Sequence, residues 1–235
     1  MKSILNLYIL VMNKHITLSR KKLRCFHPKM NNYEIKLYYE LIKLVTDTLE
    51  NNNIKWIPVS GNLLSIYRYN KLFNPWDDDF DIVIENKYAN KVMKILKKEL
   101  PNHIGYSKRK WDSKGYINKI FFKKSYSPHV YHTNFLPEEN RPNLTWPFID
   151  IFINLKKNNN WNSAHNLSYN EFPLKIKNID GIKVYLPTNG NRNYNNFKKK
   201  KLLENCEDQN YSHKYQLHIK CIGKTKKKCK DIKLR

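Results

Sequence analysis

Asp77-Asp78-Asp79-Phe80-Asp81 lies between the turn residues Asn74-Pro75-Trp76 and the apolar run Ile82-Val83-Ile84. An apolar run of this length reads as a buried strand, and carboxylates set against it are costly unless something offsets their charge. A strand sends alternate residues to opposite faces, so Asp79 and Asp81 point the same way, with Asp77 just before them. Such a trio can hold one or two hard divalent ions through oxygen, and Mg²⁺ or Mn²⁺ held in this way grips a diphosphate. The same residue types also build tight turns and cap backbone groups, a reading that suits Asp78, which alternation turns to the other face. Asp150 is the single carboxylate inside a second apolar run, Phe148-Ile149-Asp150-Ile151-Phe152-Ile153. Its expected partner is the metal already held by Asp79 and Asp81.

The elements that must position these groups are legible from periodicity. Tyr33, Leu37, Leu41, Leu44, Val45 and Thr48 recur at three- and four-residue intervals, which predicts an amphipathic helix over 32–50. Ile54–Val59 reads as a short buried strand, and Ser60-Gly61-Asn62 as a turn into a helix over 63–69. Gly61 lets the backbone approach a ligand, and the helix start beyond it offers N–H groups to an anion. Arg68 is placed to grip a phosphate or to pair with Asp78, while Trp76 suits packing beside Pro75. A strand over 79–84, a helix over 88–100 ended by Pro101, and strands over 117–122 and 148–153 follow. Residues 125–147 are expected to form a long functional loop or lid. Lys175–Ile179, Asp180-Gly181 and Ile182–Leu186 read as a hairpin with an Asp-Gly turn.

A chain of 235 residues suits one sizeable domain. The divisions expected are an N-terminal extension over 1–30, a catalytic domain over 31–222 and a disordered basic tail over 223–235. The formal charge of +24, from 44 Lys+Arg against 20 Asp+Glu, ordinarily points to a polyanionic partner. Here Lys, Asn and Ile are abundant throughout, so the excess reads as compositional drift on solvated faces. The apolar stretch Ile4–Met12 is shorter than the ~20 residues that span a bilayer. Cys25, Cys206, Cys221 and Cys229 are too few and too unevenly spaced to announce a disulfide framework, and they leave the compartment open between cytoplasm and secretory pathway. A zinc site from Cys206, His213, His218, Cys221 and Cys229 is an alternative, although no CxxC or HxxxH spacing supports it.

A strand, a Gly-containing turn, a helix, a strand with Asp-x-Asp and a later strand with a third Asp follow the order of the nucleotidyltransferase superfamily. Within it, Gly61–Arg68 and Phe73-Asn74-Pro75-Trp76-Asp77-Asp78-Asp79-Phe80-Asp81 closely resemble the LicD family, which includes the fukutin-related proteins. Phe148–Phe152 looks like that family's second acidic strand, and Phe172–Pro187 like its following hairpin; Tyr211-Ser212-His213-Lys214 resembles a late family segment. Asn62 stands where Thr or Ser is usual, and the aromatic-Gly pair expected after the hairpin is not evident in 189–197. The resemblance implies an α+β fold, a nucleotidyltransferase-like mixed β-sheet flanked by helices. It also implies metal-dependent transfer of a phospho-alcohol, of the phosphocholine or ribitol-phosphate type, from a CDP-linked donor to a glycan hydroxyl. Carried onto this chain, it makes Asp77, Asp79 and Asp81 ligands of Mg²⁺ or Mn²⁺ and Asp150 the further acidic residue, which either completes the metal site or accepts the acceptor hydroxyl's proton, with Asp79, Asp81 and Asp150 catalytic. Gly61, Asn62 and Arg68 then contact the donor. Two other readings remain: a template-independent nucleotidyltransferase acting on RNA or a small molecule, and a non-catalytic domain that binds polyanions through its lysines.

Overall fold

The computed structural model describes residues 23–74, 76–110, 116–132, 144–154, 174–187, 192–208, 211–214, 217–219 and 221–232. The apolar start over 4–12, the centre of the expected lid over 133–143 and the Phe172-Pro173 landmark lie outside them. In chain order the elements begin with β1 (Leu23–Arg24), α1 (Asn32–Asn51), β2 (Trp56–Pro58), α2 (Ser60–Tyr69), β3 (Phe80–Glu85), a 3₁₀ turn (Asn86–Tyr88) and α3 (Val92–Glu99). Next come β4 (Ile104–Lys110), β5 (Tyr116–Phe122), β6 (Tyr131–His132), β7 (Thr145–Trp146) and β8 (Phe148–Asn154). Then follow β9 (Lys175–Ile179), β10 (Ile182–Leu186), α4 (Arg192–Lys199), β11 (Asn205–Glu207), β12 (Tyr211–Ser212), β13 (Leu217–His218), β14 (Cys221–Ile222) and β15 (Lys226–Lys228).

The central sheet has five strands in the order β2-β3-β8-β5-β4. β3 and β8 run parallel, and the other neighbours run antiparallel. Continuous apolar runs make the inner strands: Phe80, Ile82, Val83 and Ile84 of β3 and Phe148, Ile149 and Ile151 of β8 are buried. Helix α1 opens with a capping box, Asn31 accepting from the Glu34 N–H while the Glu34 carboxylate accepts from the Asn31 N–H. Its buried stripe, Leu37, Tyr38, Leu41, Ile42, Val45 and Leu49, joins the same core as the sheet. Strand β4 was not expected from the sequence, because Ser107 to Lys110 reads as a polar stretch. It is the sheet's outer strand, where charged side chains are normal and discourage pairing with another chain. Among the described residues no helix is long and apolar enough to cross a membrane.

Two expectations are corrected at the C-terminal end. All four cysteines are paired, Cys25 with Cys221 and Cys206 with Cys229, so none of them supplies a thiolate to zinc. Residues 223–235, expected to be a disordered tail, include β15, which pairs antiparallel with β11, and Cys229, which is buried and bridged. The lysine-rich composition hid this, because the segment is held by backbone pairing and a covalent bond rather than by an apolar face. Cys25, Phe26, Trp76, Cys206 and Cys229 form a second small core, in which the Phe26 ring stands edge-on to Trp76 at 4.9 Å. Trp76 is therefore a packing residue, and it leads straight into Asp77.

Deleting 223–235 removes Cys229 and leaves Cys206 unpaired, so the truncated chain should lose about 3 kcal/mol, the value expected for a bond between cysteines 23 residues apart. Thermal melts under non-reducing conditions should place it well below the full chain; equal midpoints would show the segment to be dispensable.

Candidate active site

The acidic row is built by strand pairing. β3 and β8 set Asp81 opposite Asp150, and β8 and β5 set Asp150 opposite Lys119. In-register residues on neighbouring strands share a face, so Lys119, Asp150 and Asp81 line up across the sheet, with Asp79 two residues before Asp81. Asp150 is paired with Lys119, whose Nζ lies 2.5 Å and 2.7 Å from the two carboxylate oxygens. A lysine inside the apolar run Ile117–Phe122 was the signal for this pair, and the sequence reading passed over it.

Asn62 fastens the chain that carries the aspartates. Its amide donates to the carbonyls of Leu72 and Asp79, and its oxygen accepts from the Asp81 N–H at 2.8 Å. Gly61 is required for a related reason. A Cβ there would fall 2.7 Å from Asp77 Oδ2, so the group that approaches this backbone is the Asp77 carboxylate. Arg68, expected near a phosphate or Asp78, instead donates to the carbonyls of Leu202 and Asn205, which ties α2 to the turn before β11. Burial among these carbonyls lowers its pKa.

Asp78 is fully buried. It accepts from Ser212 Oγ at 2.7 Å, from the His213 N–H at 2.9 Å and from the Lys214 N–H at 3.0 Å. Burial by itself pushes the Asp78 carboxyl up, but the His213 side chain, by hydrogen bond and then by charge, with Lys29 and the Ser212 hydroxyl, brings it below the ordinary carboxylate range. The Lys214 ammonium reaches the buried Glu34 carboxylate of α1, so the turn after β12 is clasped on two sides.

The clasp delivers His213 to the acidic cluster. Nδ1 lies 3.3 Å from Asp78 Oδ1, and Nε2 lies 3.3 Å from Asp79 Oδ2. With Nδ1 donating to Asp78, Nε2 would be turned as an acceptor toward a cation beside Asp79, the usual arrangement of a metal-binding histidine. One ligand atom each from Asp77, Asp79 and His213 lie within 4.8 Å of one another. Burial, then repulsion from Asp81, pushes the Asp79 carboxyl up to about 8. Asp77 is raised by burial, then by Asp79, and Asp81 by burial, then by Asp150, with Lys119 opposing. Carboxylates crowded until they retain protons, beside an imidazole acceptor, form a donor set suited to a divalent cation. Asp79 keeps 19% exposure, which leaves an entry from solvent. A hollow of about 620 Å³ beside β4, around Lys97, Gly105, Tyr106 and Phe121, has no carboxylate in its lining.

The family model described as LicD/FKTN/FKRP, nucleotidyltransferase domain, matches residues 53–189. The chain belongs to this family. The LicD span holds Gly61, Asn62, the acidic segment, Lys119 and Asp150, whereas His213 and both disulfides lie outside it. Among solved structures, a candidate nucleotidyltransferase from H. pylori matches at 12% identity and TM-score 0.31, over 66% of this chain and 55% of that one. An antigenic nucleotidyltransferase-like protein from Paracoccidioides brasiliensis matches at 14% identity and TM-score 0.36, over 72% of this chain and 75% of that one. No curated protein matches the chain.

Two outcomes follow from the geometry. Asp78→Ala strands the Ser212 hydroxyl and the His213 and Lys214 N–H groups, so chemical denaturation should show a loss of about 3 kcal/mol or more, with weaker metal binding as His213 is released. For Asp79 the folded pKa, about 8, lies above the unfolded value. The chelated protein therefore binds more protons than its unfolded state below that value, and it loses stability as pH rises toward 8. Melts of chelated protein from pH 5 to 9 should show that decline in the wild type and a flatter profile in Asp79→Asn.

Proposed function

We propose that this LicD-family chain is a metal-dependent phosphotransferase that moves a phospho-alcohol, of the phosphocholine or ribitol-phosphate type, from a CDP-linked donor to a glycan hydroxyl. The observation that carries the reading is the cluster of Asp77, Asp79 and His213 close to Asp81 and Asp150, in which the four aspartates belong to the family's domain and His213 is brought in from beyond it. Asp77, Asp79 and His213 would hold the ion, with Asp81 beside them. A divalent ion there supplies charge neutralisation for the donor diphosphate and the departing CMP. Because one donor is an imidazole nitrogen, Mn²⁺ should be preferred to Mg²⁺.

Phosphoryl transfer asks the protein mainly for alignment and charge. The acceptor oxygen forms a bond to the phosphorus of the alcohol phosphate while the bond from that phosphorus to the bridging oxygen breaks, and CMP leaves with the electron pair. The hydroxyl proton passes to Asp150, whose carboxylate is fixed in direction by Lys119. Asn62 holds the backbone of Asp79 and Asp81 still while this happens. The paired cysteines suit a chain that folds in an oxidising compartment.

Purified full chain with Mn²⁺ and a panel of CDP-alcohols, each offered with glycan acceptors, should release CMP, and exhaustive chelation should stop it. Asp79→Asn and Asp81→Asn should each lower turnover by at least about 100-fold, beyond the 10- to 100-fold typical of residues that only support a ligand. Pyrophosphate release from a nucleoside triphosphate, without CMP release from any CDP-alcohol, would instead identify a nucleotidyltransferase.

A further inference from the structure

Lys119 is only 8% exposed, yet it sits mid-strand in β5 among Ile117, Ile120, Phe121 and Phe122. Burying an ammonium is costly unless its charge is met, and here it is met twice. Nζ lies within 2.7 Å of both Asp150 oxygens and 3.9 Å from the centre of the Phe148 ring. Across the sheet the row reads ammonium, carboxylate, carboxylate, because Asp81 is the in-register neighbour of Asp150.

That row matters for how many ions the site takes. Acidic residues on adjacent strands commonly support a pair of metal ions about 3.5–4 Å apart, the second bridging the carboxylates that the first leaves over. Here the carboxylates left over by Asp77, Asp79 and His213 are Asp81 and Asp150. The Lys119 ammonium already engages both oxygens of Asp150, and a divalent ion brought alongside would be repelled by its charge. We propose that Lys119 is a built-in second cation. The site takes one divalent ion, on Asp77, Asp79 and His213, and the Lys119 ammonium stands in for the ion that would otherwise join Asp81 to Asp150. Asp150 is thereby kept from ligating metal and remains oriented toward the acceptor hydroxyl. The inference rests on the metal-dependent reading above, and the following count separates the two.

Chelator-stripped full-length protein is titrated with Mn²⁺, and free ion is measured by electron paramagnetic resonance. The wild type should bind about one Mn²⁺ per chain, and Lys119→Ala or Lys119→Gln about two, since each leaves Asp81 and Asp150 adjacent with no cation between them. Lys119→Arg, which keeps the charge, should stay at one, and Lys119→Ala combined with Asp150→Asn should return to one. Circular dichroism melts confirm that each variant is folded. Two ions on the wild type, or one on folded Lys119→Ala and Lys119→Gln, would overturn the inference while leaving the metal-dependent reading intact. No Mn²⁺ bound by the wild type would overturn both. The wild-type count decides the matter even if the alanine variant does not fold.

Discussion

The buried carboxylate of Asp78 holds the two ends of this molecule together. An ionised group with no exposure survives only when donors surround it, and the donors come from Ser212, His213 and Lys214, more than 130 residues further on. Neither partner stands alone: without the turn after β12 the carboxylate is uncompensated, and without the carboxylate three donors lose their acceptor. This mutual dependence brings His213 to the acidic cluster. Trp146, whose indole N–H donates to the Asp78 carbonyl, and Lys214, paired with Glu34, extend the same clasp into the main core.

Around that clasp, charge is arranged to be incomplete. Asp77, Asp79 and Asp81 are pushed toward protonation, chiefly by burial and then by acidic neighbours, while Asp78 is satisfied and Asp150 is paired. The difference lies in partners rather than in residue type. Donors from the protein meet the carboxylate whose task is to hold the fold, and the carboxylates that would meet a metal are left short of positive charge. The chain's large positive excess does not fill this gap, because most of the described lysines stand on solvated faces.

The disulfides set how the clasp is carried. Cys25–Cys221 ties β14 to the segment before α1, and Cys206–Cys229 ties β11 to the turn that follows β15. Short two- and three-residue strands cannot hold such a region by themselves, since they bury little apolar surface. Crosslinks compensate by restricting the unfolded chain, and the small core of Phe26 and Trp76 beside them steadies the entry to Asp77.

Much of the framework was legible along the chain. The 3.6-residue stripe of α1, the continuous apolar runs of β3 and β8 and the Asp-Gly hairpin of β9 and β10 are local consequences of backbone geometry. Glycine at 61 also announced a close approach, which the Asp77 carboxylate makes. Other features were settled only by pairing between distant segments. Lys119 belongs to Asp150 only because β5 pairs with β8 in one register, and a shift of one residue would turn it to the opposite face. His213, Arg68 and the cysteine pairing depend on contacts between segments far apart in sequence. Residue types and periods determined which side chains could do chemistry; tertiary pairing decided which of them meet, because a buried charge takes whatever partner the packed chain brings within a few ångströms.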